Sequence, residues 1–279
     1  MFERRVQWLK VTSVCARWGV VVLATIVCTT ALAAERDVTI RVVADRTRGK
    51  LRPIWRFFGY DEANYTFSDD GREILSRIAA LDHRPAYIRS HHLLTSGNGE
   101  TWLKWSTTNA YREGSNGQPI YNWSILDKIF DTLHERKLRP LVEIGFMPRD
   151  LTIHPDDYTP PRVMRGKPQN AVGGGAFYPP KDYAKWEALV EAWARHCVDR
   201  YGRQEVESWL WEVWNEPNIR FWRGTPEEYL RLYDHATAAV KRVVPNVRVG
   251  GPHVTNPTSA DSEAFLRQFL DHCRDGVNY

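Results

Sequence analysis

The chain has 279 residues, of which 43% are hydrophobic and 26% are charged. These values are ordinary for a packed globular chain, so the composition excludes intrinsic disorder, collagen and a coiled coil. The formal net charge of +4 is not gathered in a basic stripe, which argues against a nucleic-acid partner. Twelve Trp and twelve Tyr exceed the needs of a core of this size, and such amphipathic rings often line sites for sugars.

The first 33 residues have the pattern of a secretory signal peptide. Basic residues between Arg4 and Arg17 precede an uncharged run from Gly19 to Ala34, and Ala31 and Ala33 supply the small residues of a cleavage site. The run is shorter than the roughly 20 residues of a spanning helix. We therefore expect an exported protein, periplasmic or extracellular, without stable membrane association after cleavage. The alternative is an uncleaved membrane anchor.

Two cysteines, Cys197 and Cys273, follow the predicted signal peptide, each in a predicted helix. Two thiols make no disulfide framework, and neither Cys-x-x-Cys nor His-x-x-x-His spacing indicates zinc. We expect two unbridged thiols, with a single bridge as the alternative, and neither a metal nor an organic cofactor. The sequence does not indicate an oligomeric state.

Strands and helices alternate along the rest of the chain. A strand at 38–43 comes first, and Pro53 separates it from the next strand. Five pairs of strand and helix are then predicted at 56–59 and 71–81, 86–89 and 123–136, 140–145 and 181–201, 209–214 and 226–244, and 247–250 and 262–274, and a sixth strand begins at 277–279.

This alternation predicts an α/β fold with a parallel sheet, either doubly wound or closed as a barrel. No Gly-x-Gly-x-x-Gly follows the first strand, which weakens the dinucleotide-binding alternative. Long loops at 60–70, 90–122 and 146–180 all follow strands, and that end of a (β/α)8 barrel holds the active site. We predict a (β/α)8 TIM barrel cut after about five and a half units at 53–279, preceded at 34–52 by the N-terminal strand of an accessory β region.

The segment Trp211–Asn218 closes the fourth strand of these pairs. Pro217 ends the strand by removing a backbone donor, which leaves Asn215 and Glu216 at the rim. A Glu flanked by Trp rings can keep its proton near neutral pH and act as a general acid. An Asn amide beside it can hold a sugar hydroxyl. The alternative is a hydrogen-bonded turn without chemistry.

Other segments accompany this motif in a fixed order: GYDEANY at 59–65, YIRSHHLL at 87–94, PLVEIGFMP at 140–148, PPKDY at 179–183 and GGP at 250–252. Trp-Asn-Glu-Pro at the end of strand four resembles the retaining glycosidases built on (β/α)8 barrels. The full set resembles glycoside hydrolase family 39 over nearly the whole chain after residue 33. The resemblance implies double-displacement hydrolysis of a terminal sugar, typically β-linked xylose, with a smaller branch of the family acting on iduronate.

The resemblance also implies roles for single residues. Glu216 is the general acid/base, and Asn215 bonds the 2-hydroxyl of the sugar, an interaction that tightens at the transition state. The other residues expected to bind the carbohydrate substrate are His91, Phe146, Asp61, Trp214 and Trp222.

A retaining mechanism needs a second carboxylate about 5 to 5.5 Å from the first. The family places this nucleophile at the end of strand seven, so we expect it to be absent from this chain. Glu212 is four residues from Glu216, a separation of about 13 Å along a strand, which is too far. Glu143 is expected to point into the barrel.

Two functions therefore remain from the sequence. The first is an exo-acting, β-xylosidase-like glycosidase whose sequence here is part of a longer product. The second is a catalytically inactive fragment, at most a weak sugar binder through Trp102, Trp105, Trp214 and Trp222. Iduronate and exopolysaccharide are alternative substrates; iduronate requires a cation near its carboxylate, for which Arg89 and Lys181 are the candidates.

Overall fold

The described part of the computed structural model comprises residues 54–97, 99, 107–158 and 174–276, together with 41, 43, 45, 46, 49 and 50. The chain divides into two units at residue 51, and every element below belongs to the second unit. The predicted signal peptide, the body of the strand at 38–43, Trp102, Trp105 and the strand start at 277–279 lie outside the described residues.

Five parallel strands form the main sheet. The strands of the described chain are β1 Phe57–Tyr60, β2 Tyr87–Ser90, β3 Tyr111–Glu113, β4 Pro119–Tyr121, β5 Arg139–Ile144, β6 Leu210–Val213 and β7 Arg248–Gly250. The sheet order is β1-β2-β5-β6-β7 with every neighbouring pair parallel. Each new strand is thus added on the same side of the previous one, as in a (β/α)8 barrel.

Helices connect the parallel strands. They are α1 Asp69–Ala79, α2 Ser124–Glu135, α3 Tyr183–Tyr201, α4 Arg203–Glu207, α5 Pro226–Val243 and α6 Ala260–Asp275, with 3₁₀ turns at Ala63–Phe67 and Gly174–Phe177. Side-chain oxygens cap four of the long helices: Ser68 caps α1, Asp182 caps α3, Thr225 caps α5 and Ser259 caps α6. These caps satisfy backbone N–H groups that have no partner inside the helix.

Tryptophan builds much of the core between sheet and helices. Trp186 and Trp193 of α3 are fully buried, and Trp193 stacks on Phe130 of α2 with ring centroids 6.0 Å apart. Trp211 of β6 meets the same Trp193 edge-on at 5.6 Å. At these positions the aromatic residues therefore form the helix–sheet interface.

The predicted elements correspond closely to the observed ones. All five strands of the sheet and all five of the predicted helices are present, with ends displaced by no more than two residues. The loop predicted at 90–122 is not featureless, however, because it contains the antiparallel hairpin β3–β4. Its turn has Gly117 at a positive φ of 73°, a conformation that glycine adopts without strain.

Candidate functional site

The candidate site lies where the five parallel strands end. In parallel strands the carboxyl ends meet at one edge, so the residues that come directly after them are brought together. The predicted site residues in such positions are Asp61 after β1, His91 after β2, Phe146 near the end of β5, and Trp214, Asn215 and Glu216 after β6.

The backbone after β6 has an unusual conformation. Trp214 and Glu216 have positive φ angles of 71° and 46°, which cost energy in residues other than glycine. Glu216 N donates to the carbonyl oxygen of His253 at 2.8 Å and so joins the loop after β6 to the loop after β7. Strained conformations of this kind persist where surrounding contacts fix them, often at functional sites.

The Glu216 carboxyl group is half-buried. Within residues 54–97, 107–158 and 174–276, no hydrogen bond or ion pair engages this carboxyl group. A carboxyl group at a strand end without an internal partner can exchange a proton with a ligand.

Asn215 is oriented by an arginine on another strand. Its side chain is only 3% exposed, and Oδ1 accepts a hydrogen bond from Nη2 of Arg89 at 3.0 Å. Because a guanidinium group only donates, the amide oxygen of Asn215 must face it. The Nδ2 donor of Asn215 has no partner in the described part of the chain, so it is available to a hydroxyl group.

Arg89 is the centre of this polar cluster. Its Nε donates to Glu212 Oε2 at 2.5 Å, and its Nη1 contacts His91 Nε2. Burial raises the pKa of Glu212, but the hydrogen bond from His253 and the charge of Arg89 outweigh burial and hold the pKa below its usual value. Glu212 is therefore the carboxylate that balances the Arg89 charge.

Glu143 faces the same cluster from β5. It is 0% exposed, and its Oε2 lies 3.4 Å from Nη2 of Arg89 and 3.4 Å from Nδ1 of His91. Burial raises the pKa of Glu143 to about 8; Arg89 opposes this shift, whereas Glu212 and Asp61 add to it. Glu143 and Glu212 are thus neighbouring carboxyl groups with pKa values shifted in opposite directions.

His91 and Asp61 are brought together as predicted site residues. His91 Nδ1 lies 3.7 Å from Asp61 Oδ1, and both side chains retain some exposure. His92 has a positive φ of 63° rather than an extended conformation, and its ring lies fully buried against Phe146 at 5.1 Å. The two histidines therefore differ in environment, since His91 keeps some exposure whereas His92 is fully buried.

Three predicted sugar-binding aromatic residues lie beneath the surface. Phe146 and Trp214 are 0% exposed with ring centroids 5.0 Å apart, and Trp222 meets Trp214 edge-on at 5.2 Å. The indole N–H groups of Trp214 and Trp222 donate to the carbonyl oxygens of Phe221 and Thr225. Packing and these bonds occupy the rings, so, contrary to expectation, they support the site from inside and present no open face.

Sequence reasoning missed His253 and gave Arg89 and Glu143 no role in orienting the site. Arg89 and Glu143 are charged residues inside otherwise apolar strands, which is a usable signal because such residues are buried only when they are paired. His253 comes after β7 and carries no comparable signal in its neighbours.

The described residues include no group of three or more His, Cys, Asp or Glu side chains that could hold a metal ion. None of their helices has both the length and the apolar character to cross a membrane. Neither Cys197 nor Cys273 is part of a disulfide bond in the described residues.

Comparison with known proteins gives matches along most of the chain. A β-xylosidase of Geobacillus stearothermophilus is 37% identical over 194 residues, which are 68% of this chain and 33% of that protein. A human α-L-iduronidase is 29% identical over 262 residues, 88% of this chain and 34% of that protein. The structure of a monomeric β-xylosidase from Caulobacter crescentus CB15 has a TM-score of 0.60 at 27% identity, covering 78% of this chain and 38% of that chain.

The chain spans about a third of the length of these curated relatives. The family model described as glycosyl hydrolases family 39 matches residues 38–278. The structural similarity supports the barrel fold that the strand order indicates. Because the matched residues are most of the sequence, this chain belongs to glycosyl hydrolase family 39.

Proposed function

We propose that this protein is a retaining exo-glycoside hydrolase that removes terminal β-linked xylose, with Glu216 as general acid/base. The observation that carries the proposal is the arrangement of two adjacent residues. Asn215 is held by Arg89 with its amide donor available, and Glu216 beside it has no internal partner in the described chain. The β-xylosidase relatives support the same activity.

The proposed chemistry rests on these two side chains. Glu216 protonates the departing glycosidic oxygen and then removes a proton from the water that releases the sugar. Asn215 donates from Nδ2 to the 2-hydroxyl, and this bond strengthens as positive charge develops on the sugar ring. The rate gain comes from an interaction that is stronger in the transition state than in the bound substrate.

The nucleophile is proposed to lie outside the 279 residues. Glu212 is committed to Arg89 and His253, and Glu143 has no exposed surface. The relatives are about three times longer than the matched region, which leaves room for the strand that carries the second carboxylate. We therefore expect residues 1–279, expressed alone, to hydrolyse no aryl β-xyloside and to melt without clear cooperativity.

A neutral sugar is favoured over iduronate. Arg89 is paired with Glu212, and Lys181 donates to Glu113 Oε2 at 2.7 Å. Both cations proposed for an iduronate carboxylate are therefore neutralised by acidic partners. An endo-acting enzyme on exopolysaccharide remains an alternative that product analysis separates, because an exo-acting enzyme releases only single sugars.

The alternative of an inactive sugar-binding fragment loses two of its four tryptophans. Trp214 is fully buried and Trp222 nearly so, and stacking on a sugar requires an open ring face. We further propose that the protein is exported after cleavage of residues 1–33, to the periplasm or the medium.

The proposed function is tested with the protein expressed from its whole reading frame. Glu216→Gln should lower kcat for an aryl β-xyloside with a poor leaving group by about 10²- to 10⁴-fold, the usual contribution of a general acid. Glu216→Ala should be rescued by azide, with xylosyl azide of retained configuration as product. The matched control Glu73→Gln, in an exposed pair with Arg77, should keep full activity. Full activity of Glu216→Gln would exclude the assigned role.

A further inference from the structure

A cluster of three carboxyl groups and one guanidinium group lies beneath the candidate site. The Arg89 cluster consists of Arg89, His91, Asp61, Glu143 and Glu212. Glu212 is the carboxyl group in contact with Nε of Arg89 at 2.5 Å, whereas Glu143 approaches Nη2 only to 3.4 Å. Arg89 is the one guanidinium group in this cluster, and it faces both Glu212 and Glu143.

His91 is not a second cation beside Arg89. Its Nε2 meets Nη1 of Arg89, and a guanidinium group has donors only, so Nε2 must accept. A protonated imidazolium would place N–H against N–H at this contact and bring two positive charges together. His91 is therefore neutral with its hydrogen on Nδ1, the atom that faces Glu143 at 3.4 Å and Asp61 at 3.7 Å.

Burial decides which carboxyl group carries a proton. Glu212 has both Arg89 and His253 as partners, and the side chain of Asp61 is 33% exposed and solvated. Glu143 has no exposed surface; besides the 3.4 Å contacts, the backbone of His92 favours its charged form, whereas the carboxyl groups of Glu212 and Asp61 disfavour it. An anion buried without a close cation of its own is costly, so Glu143 is the group that takes up the proton.

The protonation state of Glu143 affects Asn215 through a shared donor. Nη2 of Arg89 lies 3.0 Å from Asn215 Oδ1 and 3.4 Å from Glu143 Oε2. Nη2 carries two hydrogens and can reach both acceptors, but an ionised Glu143 would draw the guanidinium group towards itself, because hydrogen bonds to charged acceptors are the stronger ones. An uncharged Glu143 leaves the guanidinium group where Nη2 lies 3.0 Å from Oδ1 of Asn215.

We propose that Glu143 is a positioning residue that acts as an uncharged carboxylic acid and so leaves Arg89 to orient Asn215. This role rests on the proposed function, since it concerns how Asn215 meets the sugar. Glu143 itself touches neither substrate nor the reacting atoms. The raised pKa of Glu143, caused chiefly by its burial, has the same direction.

The first test determines the protonation states by NMR, in full-length protein labelled at the Glu carboxyl carbons and the His ring nitrogens. The resonance that disappears in Glu143→Gln should have the chemical shift of a carboxylic acid at pH 7. His91 should show one protonated nitrogen, Nδ1. An ionised Glu143 or an imidazolium at His91 at pH 7 would overturn the proposal. This readout needs no turnover, so it decides the matter even if the protein hydrolyses no glycoside.

The second test is kinetic, with an aryl β-xyloside. Glu143→Ala should lower kcat about tenfold or more with little change in KM, because a displaced Arg89 misplaces Asn215. Glu143→Gln should restore most of that loss, since the amide keeps the size and lacks the charge. Glu212→Gln, the matched substitution of the carboxylate partner, should not be tolerated.

An equal loss of kcat in Glu143→Gln and Glu143→Ala would show that a carboxylate is required and would overturn the proposal. Full activity of Glu143→Ala would also overturn it. Where Glu143→Ala fails to fold, the comparison of Glu143→Gln with wild type decides, and a large loss of kcat in that variant refutes the role.

Discussion

Nη2 of Arg89 donates to Oδ1 of Asn215 across 3.0 Å, although the two residues are 126 positions apart in the chain. Arg89 belongs to β2 and Asn215 comes after β6, and β5 lies between these strands in the sheet. The bond therefore reaches from β2 across β5 to the residue that follows Trp214 after β6. The orientation of the proposed catalytic amide depends on strands that are not neighbours, so the site forms only when the sheet is complete in this region.

Loss of Arg89 should destabilise the fold. Arg89→Met leaves the buried carboxylate of Glu212 without its cation, and breaking such a pair costs about 3–5 kcal/mol. Urea unfolding followed by tryptophan fluorescence measures the change. The control Arg77→Met removes a largely exposed arginine from an i,i+4 pair and should change stability by about 0.5 kcal/mol or less. Similar values for the two variants would contradict the central role of Arg89.

Asn215 should matter only when the sugar has a 2-hydroxyl. Asn215→Ala should lower kcat/KM for an aryl β-xyloside by about 10²- to 10³-fold, the usual effect of losing one transition-state donor. With the 2-deoxy substrate the same substitution should have little further effect, because the interaction is already absent. The exposed Asn246→Ala serves as control. An equal loss on both substrates would assign Asn215 a purely structural role.

The start of α5 contributes to stability through a capping box. Thr225 Oγ1 accepts from Glu228 N at 3.2 Å, and Glu228 Oε2 accepts from Thr225 N at 2.7 Å. α5 also carries Tyr229, whose hydroxyl donates to the carbonyl of Val213 at the end of β6. Thr225→Ala should therefore cost about 1 kcal/mol, and Thr225→Ser, which keeps the oxygen, should cost far less. Thermal unfolding compares the two, and equal losses would exclude the cap.

The fold was predictable because local chemistry and periodicity agree along the chain. The helix predicted at 226–244 is observed at Pro226–Val243, where Thr225 caps the helix and Pro226 is the residue best suited to the first turn. The hairpin β3–β4 was missed although Asn116-Gly117 stands between its strands, and that dipeptide is a strong hairpin signal. The three-residue strands were too short to show alternation.

The candidate site was only partly predictable for a different reason. A local motif identifies Asn215 and Glu216, since the strand end and the residues after it are adjacent in sequence. The pairing of Glu143 with Glu212 depends on the register of β5 and β6, which places them side by side. Register is set by the folded sheet rather than by either strand alone. The folded sheet likewise decides on which side of the backbone the ring of Trp214 packs, and the sequence alone does not show that side.

Glu143 should also make stability fall as pH rises. Its pKa is raised from 4.5 to about 8 in the folded protein, so between these values the folded chain binds a proton that the unfolded chain does not. The stabilisation is complete below about pH 4.5 and is lost as pH rises through about 8, with a slope of at most about 1.4 kcal/mol per pH unit. Glu143→Gln removes this group from the titration.

The unfolding free energy of wild type should therefore fall steadily relative to that of Glu143→Gln from pH 5 to pH 8. Taking the difference cancels groups such as Glu212, whose lowered pKa acts with the opposite sign in the acid range. Glu73→Gln, an exposed substitution of the same chemistry, should show no such slope. Urea titrations at several pH values measure all three proteins. A constant difference between wild type and Glu143→Gln would mean that Glu143 is ionised in the folded state throughout this range.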